Sequence, residues 1–243
     1  MGFLIAGVQK GGTSSLYHYL RQHRQIGMSF VKEPHFFDDE KQFVGEPDCR
    51  AYHALFRFKP TARIYGEATP IYLYWSNAMR RAAHYNPSMK VIALLRNPIE
   101  RAWSHWKMEV GRGTDNVPFS VAIREEAERC REALPLQHRV YSYVDRGFYS
   151  DQIVRSRRFF AERNLLFIKS EDFFAAPEKT LETILAFLGV KPAALDTSII
   201  YNQGVDGDSR VSDSDRKFLI EVFRKDIERV ESMLGWDCRD WLS

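Results

Sequence analysis

The 243-residue sequence is poor in the features that mark several large protein classes. Cysteine is scarce: Cys49, Cys130 and Cys238 lie far apart, odd in number and without a CxxC pair. Such spacing speaks against a disulfide framework and against a zinc site, and it favours a reducing compartment, so a cytoplasmic setting is expected. Charge of one sign is also lacking. The 35 basic residues exceed the 32 acidic ones by a formal +3, too weak an excess to imply nucleic acid or a membrane surface as partner. No apolar run nears the length of a membrane span, and the first residues lack the basic region and cleavage site of a signal peptide. Internal repeats, low-complexity tracts and linkers are missing as well. What is present, 44% hydrophobic residues and 14% aromatics, is an ordinary globular composition sized for one domain over 1–243.

Three continuous apolar runs organise the chain: "FLIAGV" from Phe3, "KVIALL" from Lys90 and "LLFIKS" from Leu165. Each reads as a strand covered on both faces, and each is followed by a polar turn and then helical periodicity. After Arg96, Asn97 is placed to cap and Pro98 to occupy a first helical turn, with Ile99, Ala102, Trp103, Trp106 and Val110 on one face. Pro177 opens a helix lined by Leu181, Ile184, Leu185 and Leu188 and stopped by Gly189. "SDSD" from Ser212 starts a last helix with Phe218, Val222, Phe223, Ile227 and Val230 as its stripe and Gly235 as its stop. Repeated strand–turn–helix units predict an α/β fold, a parallel sheet with helices on both faces in a single domain.

The first of these junctions, "GVQKGGTSS", departs from the familiar nucleotide loop in one respect. Gly7 and Gly12 keep the spacing of G-x-x-x-x-G-K-[ST], but Thr13 stands where the lysine belongs, and the lysine sits inside the loop at Lys10. Gly11 and Gly12 let backbone approach an oxyanion, a helix N-terminus supplies N–H groups, Thr13, Ser14 and Ser15 offer hydroxyls, and Lys10 adds a full charge. At the second junction, "LLRNPIERAWSHW", Arg96 ends a strand and Ser104 lies about two turns into the next helix. Two anion-competent strand ends in one sheet suggest a ligand with two separated anionic groups.

Together these motifs resemble the sulfotransferases that use 3′-phosphoadenosine 5′-phosphosulfate, most of all the heparan sulfate N- and 3-O-sulfotransferase branch and its bacterial relatives. The resemblance runs from Phe3 through the terminal "LGWDCRDW" and implies a P-loop-like sheet. It also implies that Lys10, Gly11, Gly12, Thr13, Ser14 and Ser15 wrap the 5′-phosphosulfate while Arg96 and Ser104 grip the 3′-phosphate, leaving adenosine 3′,5′-bisphosphate as product. No metal is expected, because a sulfuryl group carries less charge than a phosphoryl group and the sequence shows no persuasive acidic metal site. Lys10 would meet the negative charge that grows on the bridging oxygen.

On the acceptor side, "FVKEPHFFDDE" is similar to the family segment that carries a catalytic glutamate. It implies Glu33 as general base, with His35 assisting and His35 and Asp38 placed to position or bind the substrate. Glu67, in "YGEATPIYLY", competes for the role of base and is otherwise read as a structural residue or one just behind the acceptor site. The family's lysine one residue later is Ala68 here, which favours a small molecule or a less acidic saccharide as the hydroxyl acceptor. The segment "NQGVDGDSRVSDSD", Asn202 to Asp215, is expected to form a lid, with Arg210 as its only base approaching the nucleotide. "RGFYSDQI", around Tyr149, resembles another segment near the nucleotide, although a core tyrosine satisfies the pattern equally. Two further readings stay open at this point: a small-molecule kinase of the P-loop type, and a nucleotide-binding protein without turnover. The sequence leaves oligomeric state and acceptor identity unread.

Overall fold

In a computed structural model, residues 1–201 and 210–243 are described. The chain alternates strands and helices in the order β1 (Phe3–Gly7), α1 (Thr13–Gln22), β2 (Ile26–Met28), α2 (Cys49–His53), β3 (Ile64–Ala68), α3 (Ala78–Tyr85), β4 (Lys90–Leu95) and α4 (Pro98–Gly111). There follow α5 (Phe119–Arg124), α6 (Glu126–Arg129), α7 (Tyr149–Phe159), β5 (Leu165–Lys169), α8 (Ser170–Ala175), α9 (Pro177–Leu188) and α10 (Asp213–Leu234). Two compact units result, one of residues 1–95 and 155–202, the other of 96–154 and 203–243. Among the described residues no helix is long and apolar enough to cross a membrane.

All five strands belong to the first unit and form one parallel sheet in the order β2-β3-β1-β4-β5. The connections leave β1 in both directions: β1 reaches β2 through α1, and β3 crosses over β1 to β4 through α3. Right-handed crossovers running in opposite directions place their helices on opposite faces. The alternation of side chains agrees with this. Phe3, Ile5, Ile92 and Leu94 point into a cluster with Leu16 and Leu20 of α1 and Leu181, Ile184, Leu185 and Leu188 of α9. Their neighbours Leu4, Ala6, Val91 and Ala93 point the other way and are equally buried, as are Ala78, Met79 and Ala82 of α3. The expected α/β architecture, a parallel sheet flanked by helices on both faces, is the one observed.

The three apolar runs correspond to β1, β4 and β5, and the helix signals hold where a cap or stop was visible. Asn97 accepts from the N–H groups of Ile99 and Glu100, Ser212 accepts from Asp215 N–H, and Gly189 and Gly235 end α9 and α10 in the left-handed conformation. The stripes are less faithful. In α4, Ile99 and Ala102 are buried as expected, but Trp103 and Trp106 are half-buried and Val110 is exposed. The two indoles stack on one another at 4.9 Å and meet Phe119 of α5. The line that goes inward instead includes Arg101, His105 and Glu109, with Arg101 donating to the carbonyl of Tyr143. In α10, Leu219 is buried while Phe218 and Val222 stay half-buried, and the Arg124 guanidinium covers the Phe218 ring at 4.6 Å. The short strands β2 and β3 carry little apolar signal and are visible only in the structure.

Close packing inside the sheet makes one glycine indispensable. A Cβ on Gly66 would lie 2.3 Å from the Phe3 ring on the neighbouring strand. Gly66→Ala should lower unfolding free energy by about 1–3 kcal/mol through overpacking, as read from the midpoint of urea denaturation with an unchanged slope.

Candidate active site

At the carboxyl end of β1 the chain turns through Val8–Gly12 into α1. Val8 N–H donates to the carbonyl of Leu94 on β4 at 2.9 Å, and Gly11 N–H returns to the carbonyl of Val8 at 2.9 Å. A Cβ on Gly11 would sit 2.6 Å from the Leu94 carbonyl oxygen, so only glycine fits this fold of the loop. Gly12, at φ 97°, is the N-cap of α1, and no side chain caps that end. The helix terminus therefore keeps its positive end for an external anion. Lys10 is left-handed at φ 72° and half-buried. Thr13 and Ser14 are buried at the start of the helix. Ser15 is too, but its hydroxyl is engaged elsewhere: it accepts from Tyr201 N–H at 3.0 Å. The Ser15 hydroxyl, expected at the nucleotide, is turned toward the segment at Tyr201 in this structure.

That segment is bound along α1. Tyr19 donates to the carbonyls of Thr197 and Ile199, Gln22 exchanges hydrogen bonds with the backbone of Asp196, and Tyr201 stacks on His18 at 3.9 Å. Beyond it, Asn202 to Ser209 of the expected lid lie outside the described residues. Arg210 is exposed, and Asp213 to Asp215 already form the first turn of α10.

The segment expected to carry the base runs past the carboxyl end of β3. Ser29 N–H binds the carbonyl of Gly66, and Glu33 N–H binds that of Ala68 at 2.9 Å. Glu33 at φ 58° and His35 at φ 54° adopt the left-handed conformation. With Lys10 they are the only non-glycine residues at positive φ among those described. Such backbone costs of order 1–3 kcal/mol per residue and collects where a site demands it. The Glu33 carboxylate pairs with Lys32 and lies 3.8 Å from His35 Nε2. His35 Nδ1 is 2.9 Å from the carboxylate of Asp38. Asp38 thus orients the ring so that Nε2 faces Glu33. Lys32 is the participant that sequence reasoning missed, although it directly precedes Glu33 in "VKEPHFF".

Two of the residues expected on the acceptor side are interior. Asp38 and Glu67 both have 0% of their surface exposed. Burial suits the positioning reading of Asp38 and the structural reading of Glu67 rather than contact with an acceptor. Glu67 accepts from Tyr52 Oη at 3.2 Å, from Thr69 Oγ1 at 2.8 Å and from the Tyr72 hydroxyl. Burial, opposed by these hydrogen bonds and reinforced by the nearby charge of Asp38, pushes its carboxyl up to about 7.

In the second unit, Arg96 follows β4 directly and is half-buried, and Ser104 is half-buried in α4. The backbone of Arg96 is held by Tyr149, whose hydroxyl donates to its carbonyl at 2.8 Å. Tyr149 is buried, so it serves as a core residue that fixes Arg96. Asp226 of α10 in turn caps α7, accepting from the N–H groups of Tyr149 and Ser150.

An order 2-3-1-4-5 with a glycine-cornered loop running into a helix after β1 is a P-loop-like architecture. Comparison with known proteins narrows the class. The family model "Sulfotransferase domain" matches residues 2–203, so the chain belongs to the sulfotransferase family, enzymes that draw on 3′-phosphoadenosine 5′-phosphosulfate. Human heparan sulfate glucosamine 3-O-sulfotransferase 6 is 30% identical over 199 residues, 82% of this chain and 55% of that protein. Human bifunctional heparan sulfate N-deacetylase/N-sulfotransferase 2 is 26% identical over 276 residues, 99% of this chain and 30% of that protein. The chain thus spans about half the length, or less, of these relatives. A crystal structure of a sulfotransferase from Alicyclobacillus acidocaldarius superposes with a TM-score of 0.87 at 28% identity, covering 100% of this chain and 98% of that one.

The buried Glu67 has a pH signature. Its folded value is raised from 4.5 to about 7, so its contribution to stability is complete below about 4.5 and is lost as pH rises through about 7. Glu67→Gln removes that titration. The difference between unfolding free energies at pH 5 and pH 8, measured in urea, should shrink by roughly 2–3 kcal/mol relative to wild type.

Proposed function

We propose that this protein transfers the sulfuryl group of 3′-phosphoadenosine 5′-phosphosulfate to the hydroxyl of a small molecule or a weakly acidic saccharide, with Glu33 as general base. The observation that carries this reading is the left-handed trio of Lys10, Glu33 and His35, two of them on the segment at the end of β3 and one in the loop after β1. The base-bearing segment leaves β2 and runs past the end of β3, which neighbours β1 in the same parallel sheet, so both loops lie at its carboxyl edge.

The loop fits the 5′ end of such a donor. Gly11 lets the loop fold tightly against the end of β4, and the helix N-terminus that follows carries no side-chain cap, which suits a multiply charged oxyanion. Lys10 would bring its ammonium to the bridging oxygen, where charge develops as the S–O bond breaks. Glu33 takes the proton from the attacking hydroxyl, and His35, held by Asp38, lies against Glu33 and steadies the carboxylate. The hydroxyl becomes acidic as its oxygen bonds to sulfur, so a carboxylate suffices to receive its proton. Arg96 and Ser104 are assigned to the 3′-phosphate on the strength of their motif, and Arg210 to the nucleotide on sequence position alone.

The acceptor class rests on two features. Ala68, where related enzymes have a lysine, is buried and offers no charge to a sulfated chain. Phe30 and Val31, just before Glu33, are 48% and 39% exposed and give the base-bearing segment an apolar surface, with Arg57 over the Phe30 ring. Both favour an acceptor with an apolar portion and little negative charge.

Incubation with radiolabelled donor and a panel of phenols, aliphatic alcohols and glucosamine oligosaccharides should yield labelled sulfate ester together with adenosine 3′,5′-bisphosphate. With the best acceptor, Glu33→Gln should lower transfer by about 10²–10⁴-fold while calorimetric affinity for adenosine 3′,5′-bisphosphate is retained. Transfer at the wild-type rate would remove Glu33 from the role of base.

A second measurement addresses the 3′-phosphate. Arg96→Ala should weaken binding of adenosine 3′,5′-bisphosphate far more than binding of adenosine 5′-phosphate, because only the former carries the group it pairs with. Equal losses for both nucleotides would place Arg96 elsewhere.

A further inference from the structure

A carboxylate in the middle of a buried strand is an expensive feature for a fold to keep. In β3, Glu67 occupies such a position, and its partners are hydroxyls: Tyr52 from α2, and Thr69 and Tyr72 just beyond the strand. What these partners touch on their other side gives the carboxylate a purpose. Tyr72 Oη accepts from the N–H groups of Phe36 at 2.9 Å and Phe37 at 3.3 Å. A phenol oxygen has one hydrogen and two acceptor positions. Glu67 is the carboxylate acceptor beside the Tyr72 hydroxyl, the Thr69 hydroxyl also reaches it, and the two amides donate to its oxygen. Tyr52 stacks its ring on Phe36 at 4.3 Å with only 6° between planes, and meets Phe37 edge-on at 5.5 Å.

Phe36 and Phe37 are the residues between His35 and Asp38. Both tyrosines that donate to Glu67 therefore grip the same dipeptide, one through its amides and one through its rings. Left-handed Glu33 and His35 lie immediately before it and persist only if their surroundings over-determine them.

We propose that Glu67 is a positioning residue for the base: through Tyr72 and Tyr52 it locks Phe36 and Phe37, and so fixes the direction in which Glu33 and His35 point. The inference rests on Glu33 being the general base, but the lock itself is testable without any acceptor. The groups facing Glu67 are Tyr52, with Tyr85 of α3 behind it at 6.0 Å, Thr69 and Tyr72 on its own segment, and Asp38 from the base-bearing segment. With its carboxyl near 7, Glu67 is ionised and a full acceptor only on the alkaline side, so the lock is tightest there.

The experiment is amide hydrogen exchange by NMR on wild type, Glu67→Gln, Glu67→Leu and Tyr72→Phe, from pH 6 to pH 8. It is paired with hydrolysis of labelled 3′-phosphoadenosine 5′-phosphosulfate, in which water is the acceptor. In Glu67→Leu and Tyr72→Phe, protection at the Phe36 and Phe37 amides should fall about tenfold or more while amides of β1 and β4 keep theirs. Glu67→Gln, which still offers a carbonyl oxygen, should restore most of the protection and abolish its dependence on pH near 7. Donor hydrolysis should fall in kcat in the same order of variants, with KM for the donor within about twofold of wild type. Unchanged protection at Phe36 and Phe37 in Glu67→Leu would overturn the proposal, and so would loss spread evenly over β1, β3 and β4. Donor hydrolysis that is untouched by Glu33→Gln would instead overturn the reading of Glu33, whatever the amides show.

Discussion

The carbonyl of Leu94 leaves no room for a side chain at residue 11, and much of the chemistry follows from that approach. Because the loop after β1 is drawn against the end of β4, through Val8 as well as Gly11, it cannot bulge outward and must turn at once into α1. The turn costs a left-handed Gly12 at the helix start, and the glycine brings no capping oxygen with it. A polar cap would have satisfied the helix end internally. Its absence leaves a positive terminus for a ligand, with Lys10 held beside it in a conformation that few lysines adopt.

The neighbouring strand supplies the complementary half. Where β1 delivers donors and positive charge, the segment at the end of β3 delivers carboxylates in graded environments. Glu33 is partly exposed and paired with Lys32, Asp38 is fully buried and paired with His35, and Glu67 is fully buried among hydroxyls. Depth separates their duties: the outer group is reachable by a proton donor from solution, and the inner two can act only through what they hold.

Much of this was legible in the sequence, for physical reasons that can be named. Apolar runs marked β1, β4 and β5 because parallel strands are covered on both faces, and Asn97, Pro177, Gly189 and Gly235 marked helix ends because each has a specific backbone role. The glycines around Lys10 announced an anion loop. Other features had no local signal. β3 reads "IYGEA", with a glycine and a glutamate where a strand should show apolar residues, and its membership depends on Phe3 filling the space that Gly66 vacates. The interior line of α4 runs through Arg101, His105 and Glu109, which are buried because a backbone carbonyl and neighbouring side chains receive them. Ser15 looked like a ligand donor because nothing near it in sequence competes for its hydroxyl. The competitor, Tyr201, is 186 residues away.

That last contact bears on the order in which the molecule can be completed. Residue 15 is synthesised 186 residues before the group its hydroxyl binds. β5 and α9, which finish the sheet edge and the core over α1, are equally late. The first unit is therefore open throughout synthesis of residues 96–154, which belong to the other unit, and closes only when its second segment arrives. Contacts of such long sequence separation slow folding and expose apolar surface meanwhile. The loop after β1 is thus the earliest part of the site to be synthesised, and the helix behind it is secured only once residue 201 has been made.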